Sequence, residues 1–192
     1  MSFSIIERFF DSIILIEADI FEDDRGVFME SYHKDAFAAL GIHEDFVQEN
    51  HSLSALGVIR GLHFQWNRPM GKLLRVTTGR AHIVEVDIRK DSPTLGKHIH
   101  VELSADNAHM LWVPAGFANG FMSMEHGTEM IYKCTAMYNP KAESGIVWND
   151  PSLAIEWPVH EIDTEPILSD KDMQAQTLAE WLSKPESSHF TY

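Results

Sequence analysis

The chain has 192 residues, of which 44% are hydrophobic and 23% charged, an ordinary globular composition at a length that buries a large core without disulfides or metals. Its 15 Lys and Arg stand against 29 Asp and Glu, a formal net charge of −14. That argues against nucleic acid or an anionic membrane surface as the main partner. One cysteine, Cys134, excludes an internal disulfide framework and fits a reducing cytoplasm.

The N-terminal stretch MSFSIIERFFDSIILIEADIF is apolar, but Glu7, Arg8 and Asp11 interrupt it and it lacks a small-residue cleavage site, so it does not read as a signal peptide. No run is apolar for long enough to span a bilayer. Residues 34–40 read as a short helix. The middle of the chain is a series of short segments rich in Val, Ile, Leu and Phe, among them 58–64, 73–78, 81–89, 99–104, 110–113, 117–122 and 129–135. Turn residues such as Asn67-Arg68-Pro69, Asp91-Ser92-Pro93 and Pro114-Ala115-Gly116 separate them. Short strands at a spacing of roughly 8–12 residues predict a sandwich or barrel. Near the C-terminus, 170–182 reads as one helix with Ser169 as N-cap and Met173, Leu178, Trp181 and Leu182 on a shared face. No repeat, linker or composition break divides the chain. Residues 1–192 are expected to form a single all-β domain, a double-sheet jelly roll with short helices.

Three charged or polar groups fall in apolar, strand-like sequence. Arg60 and His63 lie in GVIRGLHFQ and Lys72 in GKLLRV. A buried cation or imidazole is costly unless it is satisfied or faces a cavity that uses it, and the cavity is the favoured reading here. In a regular strand Arg60 and His63 point to opposite faces, so they converge only if Gly61 marks a bend or bulge. His63 needs a carboxylate to fix its tautomer. Asp172, at the start of the C-terminal helix, is one candidate in an acidic chain, and equally a residue placed there by the helix dipole. Tyr132, mid-strand in EMIYKCT, is either a satisfied core tyrosine or a site group. His98, His100 and Glu102 share a strand face at the spacing of a metal site or of a merely polar surface.

Taken together, FEDDRGVFMESYH (21–33), FVQENHS (46–52), GVIRGLHFQ (57–65), GKLLRV (71–76), VDIRKDSPTLG (86–96), LWVPAGFANGF (111–121), IYKCTAMY (131–138), GIVWNDPSLAIEWP (145–158) and PILSDKD (166–172) resemble the motifs of the dTDP-4-dehydrorhamnose 3,5-epimerase family, in family order over almost the whole chain. The resemblance implies a cupin-type jelly roll that needs no metal or other cofactor, with Gln65 standing where metal-dependent cupins often place a second His. It implies His63 as base, Asp172 as its partner, Tyr132 as acid on the opposite face, and Lys72 as stabiliser of an enolate oxygen. It implies Arg25 and Arg60 for the diphosphate or substrate, and Phe21, Phe28, Glu30, Gln48, Asn50 and Tyr138 along the nucleotide and sugar. It further implies a homodimer in which the N-terminal motif reaches the partner's site, and a nucleotide-sugar substrate, dTDP-linked in the family.

These residue types suit the chemistry. Hydrogens beside a C4 ketone are acidic because the enolate spreads charge onto oxygen; a neutral imidazole, of ordinary pKa about 6.5, removes such a proton near neutral pH. An ammonium meets the charge where it develops, a phenol protonates the other face, and guanidinium forks match phosphate oxygens. Three positions depart from the family's usual pattern: Asn119 replaces the His of FAHG, Ile83 stands where an Asp is frequent, and Glu85 stands two residues on, where a small apolar residue is usual. A carboxylate moved from 83 to 85 would reshape the sugar pocket, so Glu85 and Asn119 join the expected substrate-binding residues. The expected activity is epimerisation at C3 and C5 of a nucleotide-linked 4-keto-6-deoxyhexose; alternatives are a single-site epimerase on a different nucleotide sugar, a metal-dependent cupin oxygenase using His98, His100 and Glu102, and an idle sugar-nucleotide binding protein.

Overall fold

The computed structural model describes residues 2–192. Its strands, in chain order, are β1 (Phe3–Phe9), β2 (Ile13–Ala18), β3 (Ile20–Asp23), β4 (Gly26–Met29), β5 (Gln48–Ser54), β6 (Ile59–Gln65), β7 (Lys72–Thr78), β8 (Arg80–Asp87), β9 (His98–Ser104), β10 (Met110–Val113), β11 (Phe117–Ser123), β12 (Thr128–Cys134) and β13 (Glu143–Gly145). Short helices α1 (Lys34–Ala39), α2 (Asp170–Met173) and α3 (Leu178–Ser183), with two 3-10 turns at Val159–Glu161 and Pro185–His189, complete the regular structure. Six strands form one sheet in the order β1-β2-β10-β7-β12-β5, and five form a second in the order β13-β6-β11-β8-β9. The third sheet is the hairpin of β3 and β4 alone. This is the expected double-sheet jelly roll.

Strand alternation builds its layers. Leu74 and Val76 of β7 meet Ile83 of β8, Leu103 of β9, Leu111 of β10, Phe121 of β11 and Met130 of β12 in the core between the sheets. The intervening residues are not left to water. On the outside of the six-stranded sheet, Leu73, Met110 and Trp112 pack under Phe37 of α1 and Ile42. Outside the five-stranded sheet, Ile59, Leu62, Val84, Val86 and Met122 are covered by Leu153, Trp157, Leu178 and Trp181 of the C-terminal segment. A strand covered on both faces reads as an apolar run, as in Met110-Leu111-Trp112-Val113, rather than as an alternating one. Each large aliphatic side chain buried this way contributes about 1.5–3 kcal/mol.

The C-terminal helix differs from its expected form. Ser169 caps α2 as anticipated, accepting from the Asp172 backbone N–H, but α2 ends at Met173 and a second helix begins only after Thr177. A capping box between Thr177 and Glu180 starts α3. The break satisfies backbone groups elsewhere, because Val147 N–H donates to the Gln176 carbonyl at 2.8 Å. Met173 consequently stays half exposed while Leu178 and Trp181 are buried, so these residues do not share one helical face.

Candidate active site

The site lies between the two sheets, and the bulge anticipated at Gly61 creates one wall of it. Along β6 and β11, Arg60 pairs with Phe121 and His63 with Asn119, so three steps on one strand match two on the other. The extra residue turns His63 onto the face that Arg60 already shares. Gly61 adopts φ +140°, a left-handed value that strains any other residue. A Cβ there would come within 2.5 Å of the Gly120 Cα, so the two strands approach this closely only through paired glycines. Leu62, between them, goes to the opposite, fully buried face.

His63 Nε2–H donates to Asp172 Oδ1 at 2.6 Å, across 109 residues of chain. α2 delivers that carboxylate. Burial works to raise the Asp172 carboxyl, but the His63 hydrogen bond and charge, the Ser169 hydroxyl and the Gly61 N–H together hold it below its ordinary value. With Asp172 ionised and Nε2 protonated, Nδ1 carries the ring's lone pair.

The opposite wall is polar on core strands. Across β7, β12 and β5, Lys72 lies in register with Cys134 and Gln48, and Leu74 with Tyr132 and Asn50. His63, Lys72, Tyr132, Gln48, Asn50 and Tyr138 line a cavity of about 100 Å³. Lys72 Nζ sits 5.9 Å from the Tyr132 ring centroid. Burial pushes the Tyr132 phenol up, with the Asn50 amide partly opposing it, so the group is a protonated donor at neutral pH. Burial pushes the Lys72 ammonium down, and the Glu85, Cys134 and Glu143 charges oppose that fall. On the other side of His63, Arg60, Asp172 and Lys171 line a wider opening of about 280 Å³. His63 on one sheet thus lines the same cavity as Tyr132 and Lys72 on the other.

The family profile described as "dTDP-4-dehydrorhamnose 3,5-epimerase" matches residues 9–180. The chain belongs to the dTDP-4-dehydrorhamnose 3,5-epimerase family. It is 47% identical over 169 residues to the dTDP-4-dehydrorhamnose 3,5-epimerase of Pseudomonas aeruginosa, covering 88% of this chain and 92% of that one. A crystal structure of the dTDP-6-deoxy-D-glucose-3,5-epimerase of Legionella pneumophila in complex with dTDP-4-keto-L-rhamnose superposes with a TM-score of 0.90 at 41% identity, over 96% of each chain. The dTDP-4-dehydrorhamnose 3,5-epimerase of Bacillus anthracis, solved with TDP and PPi bound, gives a TM-score of 0.88 at 46% identity over 92% of this chain and 99% of that one. As a member of this epimerase family the chain is an isomerase with a cupin-like fold.

Not every residue expected at the family's site lies at this cavity. Phe21, Arg25 and Phe28 stand on the β3–β4 hairpin and line a separate opening of their own, with Arg25 paired to Asp23 at 3.0 Å. Glu30 follows the same hairpin, and none of the four lines the cavity around His63. Arg60 is tethered by Ser54 Oγ at 3.3 Å. Glu85 is fully buried, and neither it nor Asn119, which bonds it, lines the cavity. Ile83 is a core residue between the sheets. His98, His100 and Glu102 do not converge: His100 Nδ1 bonds His82 Nε2 at 2.8 Å, and Glu102 accepts from Arg80 at 2.9 Å.

Sequence reasoning missed Glu143. It lines the cavity, accepts from the Tyr138 hydroxyl at 2.7 Å and pairs with Lys171 at 2.7 Å. Burial works to raise its carboxyl, and those two partners hold it below the ordinary value. In a chain with 29 acidic residues, nothing in the surrounding KAESG marks it; only β13, two residues from Gly145 opposite His63, brings it there. Gln65, whose amide bonds the Arg68 and Met137 carbonyls and the Asn139 N–H, ties down the loops at the cavity mouth.

Proposed function

We propose that this chain inverts C3 and C5 of dTDP-4-keto-6-deoxyglucose, giving the dTDP-4-keto-rhamnose configuration, by proton removal on one face and delivery on the other. What carries the reading is the pairing of His63 and Tyr132 across one cavity from opposite sheets. His63 Nδ1 takes the proton from the carbon beside the ketone, and the bonding pair moves onto the C4 oxygen. Asp172 stabilises the imidazolium that results. The Lys72 ammonium meets the enolate charge, an effect worth roughly 10²–10³ in rate. The Tyr132 hydroxyl then delivers a proton to the opposite face. Its phenolate regains one from solvent, and His63 returns its own to solvent, which resets the site for the second carbon.

Arg60, beside His63 at the wider opening, suits the diphosphate. Phe21, Phe28, Arg25 and Glu30 act in a partner's site: the hairpin holds Phe21 at 51%, Val27 at 71% and Phe28 at 62% exposure, an apolar surface that a second copy covers. The active unit in this reading is a homodimer. The test is proton NMR with dTDP-4-keto-6-deoxyglucose in D₂O, with His63→Ala as control. Deuterium at both C3 and C5, lost in the variant, supports the reading. Deuterium at one carbon alone makes the chain a single-site epimerase, and no exchange with tight substrate binding makes it a binding protein.

A further inference from the structure

Lys72 acts above as an ammonium, yet burial favours its neutral amine. An answer lies one rung away in the five-stranded sheet, where His63 of β6, Asn119 of β11 and Glu85 of β8 stand side by side in register. Glu85 is wholly buried. Its Oε1 accepts from the Asn119 Nδ2–H at 2.5 Å, and its Oε2 has no hydrogen-bond partner among the described residues. At its other end, the Asn119 Oδ1 accepts from Lys72 Nζ at 3.1 Å. An amide donates only through nitrogen and accepts only through oxygen. The carboxylate therefore dictates which way Asn119 lies, and the amide oxygen is left for the ammonium.

We propose that Glu85 is the positioning residue for Lys72: through Asn119 it supplies the buried counter-charge that keeps Lys72 an ammonium and orients it in the cavity. The inference rests on the epimerase reading and deepens it. The groups that face Lys72 are Glu85 from β8, Cys134 and Tyr132 from β12, Glu143 from β13 and His63 from β6. Of the charges that oppose the drop in its pKa, Glu85 is the largest. Burial holds the Glu85 carboxyl well above the usual carboxylate range, with Lys72 and then Asn119 pulling it back. Each charge sustains the other, and removing either leaves its partner uncompensated in the interior.

The sign follows directly. Lys72 is an ammonium below its own pKa, so catalysis falls as pH rises through that value. Removing Glu85 moves the fall to lower pH. In the test, Lys72 is titrated by trace acetylation with acetic anhydride across a pH series, read by mass spectrometry, in the wild type, Glu85→Gln and Asn119→Leu. The pH profile of kcat on dTDP-4-keto-6-deoxyglucose is measured beside it. Glu85→Gln is expected to lower both the Lys72 titration and the alkaline limb of kcat by about one pH unit, a tenfold loss of ammonium on that limb, with KM little changed. Asn119→Leu shifts both the same way, because the carboxyl that loses its donor takes up a proton. It also decides the matter if Glu85→Gln does not fold. An unmoved Lys72 titration overturns the proposal, as does a kcat loss that is equal at every pH, the mark of a merely structural role. Wild-type enzyme without epimerisation would sink the epimerase reading alone, since the labelling still reads the link between Glu85 and Lys72.

Discussion

Between its sheets the chain carries His63, Lys72, Glu85 and Asn119 where apolar side chains would stabilise the fold, whereas its β3–β4 hairpin holds Phe21, Val27 and Phe28 in solvent, where polar ones would. The first region keeps its polar groups because each has a partner: Asp172 of α2 for His63, and Asn119 both for Lys72 across the barrel and for Glu85 on the neighbouring strand. Among the described residues the second has no such partners; the hairpin forms a sheet by itself. In the proposed reading, the proton-transfer groups are assembled within one subunit, and the groups suited to the nucleotide stand on an arm that reaches a second copy. Chemistry and recognition are divided between two places, and substitutions should separate them.

The largest separation comes from His63→Ala, expected to lower kcat by at least 10²–10⁴, the usual contribution of a positioned base, with substrate binding by calorimetry largely kept. Lys72→Met follows, with roughly 10²–10³ lost from kcat. Arg25→Ala should act mainly on KM, about tenfold, the worth of a single charge-assisted phosphate contact. Mixed with inactive His63→Ala protein, it should recover activity in hybrid dimers that hold one intact site. If no activity returns on mixing, the hairpin serves its own subunit. The smallest effect is on stability. Phe28→Ser should change unfolding of the isolated subunit by within about 0.5 kcal/mol, where Leu74→Ala in the inter-sheet core costs about 2–5 kcal/mol, both read by urea denaturation.

Much of this division was legible in the sequence. Short apolar runs between turn residues gave away the strands from β6 to β12, because both faces of those strands are covered. The bulge at Gly61 was legible too, from a strand glycine between an arginine and a histidine that had to meet. β5, QENHSLS, was harder: it is an edge strand whose inward residues are polar because they line the cavity, so no hydrophobic alternation announces it. The C-terminal helix read as continuous because its periodicity runs unbroken through Gln174–Gln176, and only the bond from Val147 to Gln176 shows why it breaks. Asp172 was one candidate among many carboxylates until α2 set it against His63. Glu85 stood out as a departure from the family's usual pattern, but its proposed role depends on a rung of three residues that no single strand reveals.

Delivery from two faces is tested most directly with Tyr132→Phe in D₂O. His63 remains, so proton removal and return on its own face should continue: deuterium enters C3 and C5 of dTDP-4-keto-6-deoxyglucose with configuration retained, and inverted product falls sharply. If Tyr132→Phe still yields inverted, deuterated product at the wild-type rate, the phenol is not the second donor and the pairing of His63 with Tyr132 across the barrel does not perform the inversion.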